Sequence, residues 1–304
     1  MLSQDLHRYT VLQRARGMKF TTQPSLLRGF VAFATAAGDT HVRTARVLEW
    51  AAQTTSAMQA RNRLAIARRF ALALAIEDSE HEVPPADAFG PWQFERRLPH
   101  IYSAEEIATL LAGARRLGSP GSIRPETMAT LIGLLAATGL RVSEALRLDI
   151  ADLTNDGLII RESKFRKSRL VPLHPTARAA LNQYLQRRRK VPGQGTSLFV
   201  GDSGRRPVHV TLYGLFMRIG REAGLRGLPG EKGPRLHDLR HTFAVRSLES
   251  CTGDRRAISL HMLALSTYLG HSDPKHTWWY IHATPALMQH IAEAGEALLS
   301  EVSP

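Results

Sequence analysis

The sequence predicts a mainly α-helical protein of two domains, with a small antiparallel β-sheet in the second domain (α+β). Most of the 304 residues place their apolar side chains at helical spacing. The stretch from about residue 150 to 173 differs, because it holds short strand-like runs separated by turns. An acidic, proline-containing segment between Glu77 and Glu95 interrupts the helical pattern and indicates a domain boundary.

The composition is typical of a soluble globular protein. Hydrophobic residues make up 43% and charged residues 22% of the chain. No uninterrupted apolar stretch approaches the ~20 residues of a membrane helix, and the polar start lacks the apolar core of a secretory signal. Cys251 is the one cysteine, so no internal disulfide is expected. We therefore expect a protein that stays in a reducing compartment and does not cross a membrane.

The charge indicates an acidic partner. Lys and Arg number 40 against 27 Asp and Glu, which leaves a net charge of +13. Nucleic acid is the commonest such partner, because each neutralised phosphate releases counterions and guanidinium groups bind phosphate oxygens bidentately. An anionic membrane surface and a charged surface that serves only solubility are the alternatives.

Residues 1–76 carry eleven basic side chains against three acidic ones. Leu26, Leu27, Phe30 and Phe33 recur at helical spacing and predict short amphipathic helices. We place the first domain at 1–82, a linker at 83–101 and the second domain at 102–304.

The second domain begins with a clear helix-start signal. Ser103 and Glu106 form a capping-box pattern and predict a helix from 103 to about 115. The segment 128–148 is apolar and helical, except at Gly139, where one helix should end and another begin.

Two candidate functional residues lie in these early segments. Arg141 follows the glycine turn at a helix start, a position that suits a bound anion, although it equally fits a surface arginine paired with Glu144. Lys164 lies in a basic turn between predicted strands at 158–160 and 170–173. Such a turn fits a nucleic-acid groove, and a lysine can donate a proton to a leaving oxygen. A solvated charged turn is the alternative.

Two later segments carry further candidates. His237 and Arg240 share one helical face, which suits phosphate binding and proton transfer. A metal site competes with this interpretation, but one cysteine and no H-E-x-x-H motif give it little support. Pro274 signals a helix start just after His271, so Tyr280 should lie about two turns into a short helix. Alone, a tyrosine after two tryptophans is more typical of a core or an interface.

These segments resemble, in their order, the signature of the tyrosine recombinase (phage integrase) family. The resemblance covers residues 100 to 285 and rests on Thr138-Gly139-Leu140-Arg141-Val142-Ser143-Glu144, Lys164 before Arg169-Leu170-Val171-Pro172-Leu173, His237-Asp238-Leu239-Arg240-His241, Leu269-Gly270-His271, and Tyr280. Residues 1 to 95 are similar to the helical, SAM-like core-binding domain of the family only in outline.

The resemblance implies six catalytic residues: Arg141, Lys164, His237, Arg240, His271 and Tyr280. It implies that the two arginines and His271 hold the scissile phosphate while Tyr280 attacks phosphorus and forms a 3′-phosphotyrosyl link. His237 would accept or orient a proton, Lys164 would protonate the departing 5′ oxygen, and Glu144 would support these side chains. The chemistry needs no metal and no nucleotide cofactor.

The resemblance also implies a two-domain clamp on double-stranded DNA that carries specific recombination sites. We predict DNA contacts by basic side chains of the first domain and of the hairpin: Arg61, Arg63, Arg68, Arg69, Arg166, Lys167 and Arg169. A final amphipathic helix at 285–299 would pack on a neighbouring protomer of a homo-tetramer or on its own domain. Accessory proteins and a location in the bacterial cytoplasm, at the nucleoid, are further implications.

Two other functions share parts of this pattern. A type IB topoisomerase would use the same phosphotyrosine chemistry to relax DNA, and a non-catalytic regulator would keep the fold alone. Among recombinases, the pattern Leu265–His271 with Ala283-Thr284-Pro285 is more similar to those of bacterial mobile elements. We therefore expect integration, excision or transposition of such an element.

Overall fold

The computed structural model of this chain describes residues 1–91, 97–161, 168–193, 195–251 and 255–270, together with Asp273, Thr277 and Tyr280. The chain divides into two compact units, Met1–Arg96 and Arg97–Pro304. Eleven α-helices and one three-stranded sheet form the regular structure of the described residues, which confirms the predicted fold class. In this part of the chain, no helix is long and apolar enough to cross a membrane.

The first unit consists of four helices around one apolar core. They are α1 (Leu2–Ala15), α2 (Gln23–Ala36), α3 (Thr44–Ala52) and α4 (Ala57–Ala75). Pro24 lies in the first turn of α2, where an N–H would have no helical partner, and the Ser56 hydroxyl accepts a hydrogen bond at the start of α4. Phe30, Trp50 and Phe70 are buried in the centre. The helices predicted for this segment are confirmed.

The segment after α4 packs on the first unit, where the sequence predicted the start of a linker. Val83 and Phe89 lie against the apolar core, and Arg68 Nε donates to the Pro84 carbonyl at 2.9 Å. The two units divide between Arg96 and Arg97. Two prolines of this segment, Pro84 and Pro91, therefore accept hydrogen bonds from arginines of α4 through their carbonyl groups.

The second unit contains seven helices. They are α5 (Ala104–Arg115), α6 (Arg124–Thr138), α7 (Val142–Arg147), α8 (Pro175–Arg188), α9 (His209–Glu222), α10 (Asp238–Glu249) and α11 (Arg255–Leu269). The predicted capping box is confirmed, since Ser103 and Glu106 bind each other's backbone N–H groups at the start of α5. Helix α6 is central and packs against α5, α8 and α10.

The predicted break inside the segment 128–148 is confirmed. Helix α6 ends at Thr138 and is capped by Gly139, whose φ of 60° is left-handed, and α7 begins three residues after this glycine. A Cβ atom at Gly139 would lie 2.5 Å from Phe243 Cδ1 of α10. The turn therefore needs glycine both for its backbone conformation and for the close approach of α10.

A small antiparallel sheet follows α7 and a 3₁₀ turn at Ile150–Asp152. Its strands are β1 (Leu153–Thr154), β2 (Gly157–Ile160) and β3 (Arg169–Val171), in that order. The hairpin of β2 and β3 was predicted and is confirmed, while β1 was not predicted. Strand β3 ends before Pro172, which has no N–H for the ladder. Arg169 pairs with Ile160 in this register and so begins β3.

Substitution of Gly139 by alanine should destabilise the second unit more than the same change at Gly224, which follows α9 with φ of 70° and has open space at its Cβ position. Left-handed backbone should cost alanine about 1–2 kcal/mol at either site. Overpacking against Phe243 should add about 1–3 kcal/mol at Gly139 only. Chemical denaturation of both variants measures the difference, and equal losses would contradict the close approach.

Candidate active site

Three arginines converge on the last turn of α11. The carbonyls of three consecutive residues each accept a hydrogen bond from a different arginine: Tyr268 from Arg169 Nε (2.8 Å), Leu269 from Arg240 Nη2 (2.8 Å) and Gly270 from Arg141 Nη2 (3.3 Å). The last carbonyls of a helix lack helical partners and carry the negative end of its dipole. The helix end therefore provides acceptors of the right sign for three guanidinium groups.

Each arginine reaches this turn from a different element. Arg141 is the residue that precedes α7, Arg169 begins β3, and Arg240 lies in the first turn of α10. Gly270 ends α11 in a left-handed conformation with φ of 66°. The site is thus assembled by tertiary packing of elements that are far apart in sequence.

Glu144 joins two of the arginines. Arg169 binds both of its carboxylate oxygens, at 3.2 and 2.9 Å, and Arg141 donates to it through Nη1 at 2.9 Å and through its backbone N–H at 3.0 Å. Only 2% of the Glu144 side chain is exposed. Burial alone would raise the pKa of this carboxyl, but the hydrogen bonds and charges of Arg169 and Arg141 lower that pKa to about 2. Glu144 is therefore ionised at every physiological pH.

Arg240 is a buried cation. It is 2% exposed and donates to the Gly139 carbonyl at 2.7 Å as well as to α11. Burial, and then the positive charge of Arg141, lower its pKa to about 10. A buried charge with a like charge beside it is stabilised when an anion binds. This geometry suits an oxyanion such as a phosphate group.

Two histidines and Tyr280 form a row of rings next to Arg240. The ring centroids of His237 and His241 lie 4.9 Å apart, and those of His241 and Tyr280 lie 5.4 Å apart. Tyr280 is 3% exposed and packs with Leu265 and other apolar residues of α10 and α11. Thr277 and Tyr280 both have helical backbone.

Both histidines are held in the neutral form in this setting. Loss of water contact and the charge of Arg240 lower the pKa of His237, although its ring keeps an exposed side. Burial lowers the pKa of His241 to about 3. Both rings are therefore neutral at pH 7, and a neutral imidazole has one nitrogen that accepts a proton.

The structure brings together five of the predicted site residues: Arg141, Glu144, His237, Arg240 and Tyr280. It also brings Arg169 to them, although the sequence analysis placed Arg169 among DNA contacts. His241 was missed, although it follows Arg240 directly in the quoted motif. Lys164, Arg166, Lys167, His271 and the predicted helix at 285–299 lie outside the described residues, so their predictions stay untested.

The arginines predicted to bind DNA in the first unit donate to backbone carbonyls. Arg61 reaches Phe89, Arg63 reaches Gln53 at 2.8 Å, and Arg68 reaches Pro84. Arg69 is exposed and donates to a carbonyl one turn back in its own helix, at 3.2 Å. The first three side chains hold loops against α4, and their role in DNA binding stays a prediction.

Among the described residues, His41, Asp78 and His81 are the group of side chains close enough to share a metal ion, with ligand atoms within 4.8 Å of one another. The Val42 N–H donates to Nδ1 of His81 at 3.0 Å. Neutral His81 therefore carries its proton on Nε2, the nitrogen that faces Asp78 at 3.8 Å. That nitrogen cannot bind a metal without losing this proton, so the cluster fits a hydrogen-bonded contact better than a metal site.

Comparisons with known proteins show the family of this chain. The model of the phage integrase family matches residues 101–286. The "Putative integrase/recombinase y4rB" of Sinorhizobium fredii is 36% identical and covers 94% of each chain. Tyrosine recombinase XerC of Actinobacillus pleuropneumoniae is 31% identical over 73% of this chain and 66% of its own length. The crystal structure of a lambda integrase tetramer bound to a Holliday junction has a TM-score of 0.62 and 17% identity, over 92% of this chain and 76% of that one.

The fold and the matched residues therefore define a DNA strand-breaking and rejoining enzyme of the tyrosine type. The chain belongs to the phage integrase family and is a site-specific recombinase/integrase.

Sulfate should stabilise the protein through Arg240. A sulfate ion at the arginines would offset the buried charge, and at ten times its Kd it should add about 1.4 kcal/mol to the free energy of unfolding. Arg240→Lys keeps the positive charge but loses the planar guanidinium group that binds an oxyanion through two nitrogens. Sulfate should therefore stabilise this variant less than it stabilises the wild type. The thermal unfolding midpoint in sulfate and in chloride at equal ionic strength measures this. Arg218→Lys, which alters an exposed pair with Glu222, should respond as the wild type does. An equal response of Arg240→Lys would contradict the anion site.

Proposed function

We propose that this recombinase cuts DNA by attack of the Tyr280 hydroxyl on a phosphodiester held by Arg141 and Arg240. The phenol oxygen forms a bond to phosphorus, the bond from phosphorus to the 5′ oxygen breaks, and the protein stays linked to the 3′ phosphate. The observation that carries the proposal is the convergence of both arginines on the last turn of α11, with Tyr280 packed beside α10 and α11.

The charges of the site support the assignment of roles. Arg141 and Arg240, with His271, bind the non-bridging oxygens and stabilise the charge that develops on them. The lowered pKa of Arg240 supports this role, since an anion relieves its buried charge. His237 is neutral at pH 7 and accepts the phenol proton or orients the phosphate.

The leaving group takes its proton from Lys164, as the resemblance implies. The 5′ hydroxyl of the same or another strand then attacks the phosphotyrosine and restores the phosphodiester. The covalent link conserves the energy of the broken bond, so the proposed reaction needs neither a metal nor a nucleotide cofactor. Glu144 orients Arg141 throughout the reaction, as its two hydrogen bonds to that residue support.

The proposed partner is double-stranded DNA that carries specific recombination sites, bound by a homo-tetramer. The net charge of +13 supports phosphate binding, and the similar lambda integrase structure is of a tetramer on a Holliday junction. We propose integration, excision or transposition of a mobile element as the biological role, and the name of the Sinorhizobium relative, an integrase/recombinase, supports integration. The recombinase is proposed to act in the cytoplasm, at the nucleoid, together with accessory proteins.

We propose that residues 1–82 form the helical core-binding domain. Residues 83–101 are proposed as the linker and 102–304 as the catalytic domain. Its exposed basic residues support this role, among them Arg14, Arg28 and Arg69. Arg63 serves this unit structurally, because it lies over the Trp50 ring at 5.2 Å and donates to the Gln53 carbonyl.

Tyr280→Phe should abolish covalent protein–DNA adducts while DNA affinity stays unchanged, because only the nucleophilic oxygen is lost. A suicide substrate nicked next to the cleavage point traps the adduct on the 3′ end, and gel mobility under denaturing conditions measures it. Tyr213→Phe, at a half-exposed position on α9, is the matched control and should keep the adduct yield of the wild type. If Tyr280→Phe formed the covalent adduct in the same yield as the wild type, the proposal would be wrong.

Arg69→Ala and Arg63→Ala should separate DNA contact from structural support. Arg69→Ala should weaken binding similarly for all DNA sequences and reduce the slope of log K against log salt by about 0.9. Arg63→Ala should lower the unfolding free energy by about 1 kcal/mol, since it removes hydrogen bonds to the Trp50 and Gln53 carbonyls and the contact with the Trp50 ring. Fluorescence anisotropy at several salt concentrations, with thermal unfolding, measures both effects. An unchanged salt slope in Arg69→Ala would remove this residue from the DNA contacts.

A further inference from the structure

Arg169 has contacts that differ from those of a DNA-binding side chain. Only 12% of its side chain is exposed. Its Nε donates to the Tyr268 carbonyl, and Nη1 and Nη2 donate to the two oxygens of Glu144. All three guanidinium nitrogens are thus bonded to protein acceptors, on α11 and α7. A side chain committed in this way is poorly placed to follow a DNA backbone.

We propose that Arg169 is a positioning residue of the active site, which ties Glu144 to the last turn of α11 and thereby fixes Arg141. The inference rests on the proposed function of Arg141 as a phosphate ligand. It replaces the DNA-contact role that the basic hairpin suggested for Arg169.

The contacts form a closed ring, which is the first support for this role. From the Tyr268 carbonyl the ring runs through Arg169 to Glu144, on to Arg141, and back to the Gly270 carbonyl two residues further along. Each member is therefore held from two sides. Charge-assisted, bidentate hydrogen bonds of this kind fix the plane of a guanidinium group as well as its place.

The backbone around Arg169 is built for these contacts. The pairing of Arg169 with Ile160 and of Val171 with Leu158 holds β3 in register. A Cβ atom at position 270 would lie 2.8 Å from Arg169 Nη1, so Gly270 leaves room for the guanidinium. Both the strand register and the glycine thus accommodate an arginine at this point.

The charges around Glu144 make the role of Arg169 measurable. The groups that face this carboxylate are Arg141, which precedes α7, Arg169 of β3 and, without a hydrogen bond to it, Arg240 of α10. Burial raises the pKa of Glu144, and Arg169 opposes this through the largest of the effects that lower that pKa. Removal of Arg169 should raise the pKa of Glu144. Glu144 would then take up a proton, and release Arg141, at a higher pH than in the wild type.

The test compares Arg169→Met with the wild type at saturating DNA. The single-turnover rate of adduct formation on the suicide substrate should fall about 10- to 100-fold, as when an outer partner of a functional side chain is lost. The rate of the variant should also fall as the pH is lowered from about 8 to 5, a range in which a carboxyl with raised pKa titrates. The wild-type rate should show no such dependence from Glu144.

Two further variants show whether the effect passes through Glu144. In Arg169→Met with Glu144→Gln, no carboxyl remains to titrate, so the added pH dependence should disappear. Arg169→Lys keeps a positive charge but cannot serve both Glu144 and Tyr268, so it should react slowly with a smaller pH shift. Arg218→Met, which breaks an exposed arginine–glutamate pair on α9, is the matched control and should react as the wild type does.

The outcomes distinguish this inference from the proposed function. A rate at saturating DNA equal to that of the wild type in both Arg169→Met and Arg169→Lys would overturn the positioning role. If these variants instead lose affinity and about 0.9 of the salt slope, Arg169 contacts DNA, as the sequence suggested. If Arg169→Met fails to fold, as its thermal unfolding shows, the rate and pH profile of Arg169→Lys decide. Only an adduct that forms without Tyr280 would reject the proposed function itself.

Discussion

The carbonyl oxygens at the end of α11 are the acceptors around which the active site is organised. A helix end of this kind normally obtains its missing hydrogen bonds from water or from a single capping side chain. Here three guanidinium groups supply them, and the three arginines come from β3, α10 and the start of α7. The position of this one turn therefore determines where the positive charge of the site is concentrated.

Among the described residues, the same arrangement places Glu144 between two of the three arginines. Glu144 neutralises part of the charge of Arg141 and Arg169, while Arg240 donates to the helix end and to the Gly139 carbonyl. The positive charge of Arg240 is buried and has little contact with water. In the proposed reaction this charge stabilises the bound phosphate.

Much of this structure was predictable from local sequence signals. The capping box at Ser103 and the helix break at Gly139 depend on residues within a few positions of one another, and both were predicted. Strand β1 has two residues and shows no periodicity, so no local signal identifies it. The contacts of Arg169 join residues 99 and 25 positions apart. A basic residue in a hairpin does not reveal such partners, and only its place at the start of β3, away from the tip, hints at another role.

Gly139 has a consequence for how this protein can change through evolution. Its left-handed turn ends α6, its carbonyl binds Arg240, and its missing Cβ admits Phe243 of α10. A Cβ atom there would overlap the Phe243 ring on the helix that carries Arg240. Folding and catalysis therefore both depend on this glycine. A stabilising substitution elsewhere would restore the abundance of the protein without restoring the geometry of the active site. Lineages that lose this glycine should therefore keep, at most, the DNA-binding half of the function.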